Sequence, residues 1–210
     1  METTDLLRVA ARRELAAIGF RERKDKIYTR ELDDEAIGWL GLNQATHRDH
    51  GAVAINPVVG VRHQAVEKLV AELAGRTLQP FVPPTAAIPL GYLTPHRYYR
   101  EWLIAGPDEV DRVILEIVEA VARYGIPFIE ENRSLKQLLR TLQRPNHGIA
   151  QNLAYTMPAG FALLGDHERA RESVADSLAR FGVGDGTPAK QMRMFAAALE
   201  SYLSRDNPAR

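Results

Sequence analysis

The chain has 210 residues, 45% of them hydrophobic and 26% charged, which suits a globular protein able to bury a core without covalent staples. It has no cysteine, so disulfide frameworks, thiolate zinc sites and cysteine nucleophiles are excluded. Its 27 basic and 27 acidic residues cancel, and the halves are balanced too, at 14 and 13 in residues 1–105 and 13 and 14 in residues 106–210; whole-molecule attraction to nucleic acid or membrane is not expected.

Residues Thr3 to Gly19 read as a helix with Leu7, Ala10, Ala11, Leu15 and Ile18 on one stripe. Gly19 ends it, followed by Phe20. Arg8, Arg12, Arg13 and Glu14 interrupt its apolar run, so it is no signal-peptide core. Lys26–Arg30, Ala36–Leu42 and Ala52–Asn56 then read as three strands of a meander, with Pro57 and Gly60 expected to terminate the third. Arg62 to Ala74 reads as a second helix with Val66, Leu69, Val70 and Leu73 on one face. Ala86–Leu93 and Tyr98–Ile104 each suit a further strand.

From Pro107 the pattern is helical. The stripe Val110, Val113, Ile114, Ile117, Val118, Val121 is expected to stop at Gly125 and Pro127. Ser134 caps a short basic helix reaching Gln143, and further helices are expected at 148–164, 166–181 and 187–203. Trp39, Trp102, Val113, Ile117 and Leu138 are expected in the core. Two stretches without charge, 77–95 and 145–165, are broken by prolines or polar residues and do not read as membrane spans. A cytoplasmic location is expected. The fold class that follows is α+β: an antiparallel sheet of four or five strands flanked by helices, with a helical C-terminal region. The expected division is a sheet domain over 1–145 and a helical extension over 146–210 packed on it.

Trp102-Leu103-Ile104, Pro107-Asp108-Glu109-Val110, the run Tyr124 to Glu130 and Leu135-Lys136-Gln137-Leu138 follow one another in a recognisable cadence. With Arg12 to Phe20 and the first three strands, they resemble a widespread group of uncharacterised bacterial α+β domains. In that group a leading helix and a Gly-Phe turn precede an antiparallel sheet, and a long helix ends in a Gly-Ile-Pro-Phe turn. The resemblance covers about the first two-thirds of the chain and brings over no catalytic residues. It implies an immunity or partner-binding role, as guessed for members found beside toxin genes. Ala162 to Arg171 resembles the turn of one tetratricopeptide-type hairpin, with Gly165 as turn residue, Asp166 as cap and Ala170 at the helix approach. A single hairpin is not an array.

His47, Asp49 and His50 fall in one hairpin turn and supply the residue types of a two-histidine, one-carboxylate metal site or a general base. No second ligand cluster accompanies them, and no His-Glu-x-x-His, P-loop or Gly-x-Ser-x-Gly pattern occurs. A polar hairpin tip is therefore the preferred reading, and no cofactor is implied. Arg133, Lys136, Arg140 and Arg144 recur at helical spacing on one side of the basic helix, opposite Leu135, Leu138, Leu139 and Leu142. That face suits an acidic protein surface or, as an alternative, phosphate groups of a nucleic acid, and a merely solvated helix face is the plainer reading it competes with. Pro95 to Arg100 interleaves basic and aromatic groups suited to stacking on bases or peptide. As a strand it would send Arg97 and Tyr99, the expected partner contacts, to one face, and Tyr98 and Arg100 to the other, with ordinary sheet packing as the plainer reading. Glu130 and Glu131 are adjacent and read as a solvated turn. The sequence favours a non-enzymatic protein that binds another protein, with a metal-dependent hydrolase centred on His47, Asp49 and His50 as the competing class.

Overall fold

The computed structural model describes residues 2–24, 26–46, 52–144 and 150–205, with backbone alone at 46, 150 and 151. The chain forms two compact units: Met1–Arg62 with Ala86–Arg133, and His63–Thr85 with Ser134–Arg210. Residues 134–145 thus fall in the helical unit, as does the excursion 63–85. No single cut of the chain makes these units.

The first unit is built on a six-stranded sheet. Its strands are β1 (Arg21–Lys24), β2 (Ile27–Glu31), β3 (Ala36–Thr46), β4 (Val53–His63), β5 (Ala86–Pro89) and β6 (Trp102–Ile104), and five run in the order β1-β2-β3-β4-β5. The sixth, β6, also pairs with β4. β5 takes Val58–Val61 and β6 takes Val53–Ile55, both antiparallel, so two short strands serve successive stretches of one long one.

This explains why β4 does not stop where the sequence suggested. Pro57 falls in the interval between the two partners, where no ladder pair is formed on that edge, and its missing N–H is tolerated there. Gly60 pairs with Ala87 between the buried Val59 and Val61, whose burial outweighs a glycine's entropy cost. The strand therefore runs on to His63, and the second helix, α2 (Gln64–Leu73), starts later than expected.

Helices α1 (Thr3–Ala17), α3 (Val110–Ala120) and α4 (Ile126–Glu131) complete this unit, with α1 packed on α3, α3 on β6 and α4 on β3. Trp39, Trp102, Val113 and Ile117 are buried here as expected. The expected stop at Gly125 and Pro127 does not occur. Instead a π-turn, Val121–Gly125, carries the helix forward, with the Ile126 N–H reaching back to the Val121 carbonyl. Pro127 then enters the first turn of α4, where a helix needs no donor from it. A Cβ at Gly125 would stand 3.0 Å from Val59 Cγ1, so glycine lets this turn lie directly on the sheet.

The second unit comprises α2, α5 (Leu135–Leu142), α6 (Ala150–Leu163), α7 (His167–Phe181) and α8 (Thr187–Arg205). Gly165 has φ 73° and the Asp166 carboxylate accepts from the Arg169 N–H at 3.2 Å, which turns α6 into α7. Ala170 is fully buried at the crossing. Helix α2, whose buried residues are Val66, Leu69 and Leu73, packs on both α6 and α8. The side that α6 and α8 present together is thus covered by the chain's own helix. Among the described residues no helix is long and apolar enough to cross a membrane.

Candidate binding surfaces

The loop between β5 and β6, residues 90–101, begins as a 3₁₀ turn, Leu90–Leu93, and is tied down in three places. The Thr94 N–H and hydroxyl both donate to the Gly91 carbonyl, at 3.2 and 2.8 Å, and the Arg97 N–H donates to the Thr94 carbonyl at 3.0 Å. Gly91 is overlaid by the returning chain so closely that a Cβ there would stand 2.9 Å from the Arg100 backbone nitrogen. From the sheet, Asn56 Nδ2 donates to the Arg100 carbonyl at 2.9 Å. Arg100 lies over the Trp102 ring at 4.3 Å and reaches Glu116.

These ties correct the expected strand over 98–104, which is limited to 102–104. The chain turns at Arg97, whose φ is 51°, and the alternation that would have parted Arg97 and Tyr99 from Tyr98 and Arg100 is lost. Tyr98 and Tyr99 are instead both half-exposed, at 51% and 52%. The Tyr99 hydroxyl donates to Glu101 at 2.9 Å, which raises its pKa and keeps the phenol neutral. The His96 ring tilts against Tyr98 at 5.9 Å between centroids. Half-exposed aromatics on a tethered backbone have little conformational freedom left to lose in a contact.

The basic helix forms as expected, with the Ser134 hydroxyl accepting from the Gln137 N–H at 3.3 Å. Leu138, Leu139 and Leu142 are buried and Leu135 is partly so. Lys136, Arg140 and Arg144 are exposed, and none has a carboxylate within ion-pair distance among the described residues. Arg133 differs. It closes the sheet unit, where its guanidinium is ion-paired with Asp33 and holds that carboxyl below the usual range. The other oxygen of Asp33 accepts from the Glu35 and Ala36 N–H groups, at 2.9 and 2.7 Å, so Arg133 is committed to the turn before β3.

His47, Asp49 and His50 lie outside the described residues. Among the described residues no group of histidine and carboxylate side chains is placed to hold a metal ion. Glu130 and Glu131 lie within α4 rather than in a turn, and Glu130 reaches Arg30 at 3.4 Å.

No match exists for this chain among protein-family models, curated proteins or solved structures.

Sequence reasoning missed two polar groupings. In the helical unit the Thr85 hydroxyl accepts from the His63 N–H at 2.9 Å and donates to Glu67 at 2.7 Å, latching the end of the 74–85 segment to the start of α2. Nothing in spacings of 18 and 22 residues announces such a link. In the sheet unit Arg21, Arg23 and Arg30 line a cleft at β1, a strand without a single apolar residue.

Proposed function

We propose that this chain is a protein-binding protein, and that the loop over 95–101 is the surface that meets its partner. The supporting observation is the pairing of half-exposed Tyr98 and Tyr99, beside Arg97, on a backbone fastened at Gly91, Thr94 and Asn56. Tyrosine and arginine are over-represented among residues that carry binding energy, and a fixed loop avoids the ordering cost of a loose one. The exposed cations of α5 supply a second surface, suited to an acidic partner region, where they would speed encounter more than they hold the complex.

Affinity capture from extracts of the source cells, with wild type and a Tyr98→Ser/Tyr99→Ser variant, tests this reading. The loop is not part of the buried core, so the variant should melt like wild type. A partner captured by wild type should be lost or weakened about tenfold or more, as for hot-spot residues. A captured protein that binds the variant equally well would sink the reading. Oligonucleotide added at low and moderate salt shows whether α5 takes phosphate instead, through a steep fall of binding with salt.

A further inference from the structure

A cleft of about 480 Å³ opens where the end of α1 meets β1 and β2. The ladder between these strands slips at Glu22/Lys24, leaving Arg23 as the extra residue of a β-bulge. Bulges re-aim side chains. Here the Arg23 Nε donates to the Thr29 hydroxyl at 2.8 Å, and Thr29 is itself fully buried, so the guanidinium is held in place from below. Arg21, opposite Thr29 in the ladder, comes to the same spot. Its Nη1 lies 3.8 Å and the Arg23 Nη2 lies 3.6 Å from one and the same oxygen, Oε1 of Glu31. A single carboxylate oxygen thus stands between two guanidiniums, outside full hydrogen-bond distance of either. Arg30 adds a third guanidinium on the cleft wall, with one nitrogen on the Ile18 carbonyl and another on Glu130, both at 3.4 Å.

We propose that this cleft binds a phosphate group carried by a small molecule, which competes with Glu31 for Arg21 and Arg23. Among the described residues that line the cleft, three guanidiniums accompany one carboxylate, and guanidinium forks match phosphate oxygens in geometry as well as charge. A phosphate presents several oxygens where Glu31 offers one to both arginines. The cleft has room beyond the phosphate, bounded by Ala17 and Ile18, for an organic group attached to it. The carbonyl end of α1 and Glu130 oppose the charge, so the affinity falls in the millimolar to high-micromolar range.

The test is NMR titration of the full chain, observing arginine Nε–Hε signals, with inorganic phosphate and inorganic pyrophosphate against chloride at matched ionic strength. Saturable shifts at Arg21 and Arg23, absent with chloride, are expected. Arg21→Gln, at a side chain 74% exposed and therefore harmless to folding, should weaken binding about tenfold. Glu31→Gln should tighten it severalfold, because the competing carboxylate is gone. No saturable shift, or saturation unchanged in both variants, would overturn the proposal. So would weaker binding in Glu31→Gln, which would make the carboxylate a positioning group instead of a competitor.

Discussion

The two units treat their charges in opposite ways. The sheet unit carries 15 basic and 18 acidic residues, the helical unit 12 and 9, although the two halves of the chain are balanced. In the sheet unit arginines are spent on carboxylates: Arg12 on Glu22, Arg13 on Asp111, Arg112 on Glu109 and Glu116, Arg133 on Asp33. In the helical unit Arg171 meets Glu200, but Lys136 and Arg140 on α5, and Arg144 just after it, meet no carboxylate among the described residues. The lesson concerns where charge should be counted. Net charge over a stretch of sequence says little about a surface when the chain leaves one unit at residue 62 and returns to it at 86.

The contrast breaks most severely if the apolar support of the sheet unit is removed. Ile117 is 1% exposed in α3, and Ile117→Asp would bury a carboxylate without a partner. A loss of about 4 kcal/mol or more is expected, seen as insoluble expression or the disappearance of a cooperative melt. A soluble variant with wild-type melting would mean that Ile117 does not face the core.

A smaller effect is expected where one carboxylate does two jobs. Asp33→Ala removes the acceptor for two turn N–H groups and the counter-ion of Arg133, and should cost about 1 kcal/mol, mostly through the turn. The variant also carries a pH signature. The Asp33 pKa is lowered in the folded state, chiefly by the hydrogen bond from Arg133, so its contribution is complete above the unfolded carboxylate pKa near ~3.9. That contribution is lost as pH falls through the lower folded value. Wild type and Asp33→Ala should therefore differ in denaturant midpoint at neutral pH and converge in acid. A constant difference at all pH values would assign the whole effect to the turn's packing.

The smallest effect on folding, and the sharpest on the comparison, is expected at α5. Lys136→Glu with Arg140→Glu should leave the thermal midpoint within scatter of wild type, because exposed unpaired cations contribute little to stability. Association with an acidic partner should slow, and the salt dependence of the association rate should flatten, in stopped-flow or surface-based kinetics. Unchanged association kinetics would reduce this face to a solvated one.

Helix α1, the Val110–Val121 stripe, the Ser134 cap and the Gly165 turn were all legible in the sequence, because each depends on neighbours within two turns. The misreadings share a different cause. Pro57 and Gly125-Pro127 are breakers by local rules, and each is accommodated by something distant: a change of ladder partner for Pro57, a π-turn seated on Val59 for Gly125. Arg97 and Tyr99 were picked as contact residues for a strand geometry that the Gly91 and Thr94 bonds forbid, although both are exposed. The arginine cleft was illegible because β1 shows no hydrophobic period, and the residues it pairs with, Ile27–Thr29, belong to the neighbouring strand.

The divided edge of β4 has one more consequence. β5 ends opposite Val58 and β6 begins opposite Ile55, so the ladder leaves only two positions of β4 between them, while the chain spends residues 90–101 crossing that gap. A direct connection would need a short link alone. The exposed stretch of this segment, residues 95–99, is therefore surplus to the architecture, and lengthening or rewriting that stretch adds only slowly growing closure entropy. The sheet offers a mount on which a lineage, or an engineer, can exchange recognition sequences while the frame beneath stays the same.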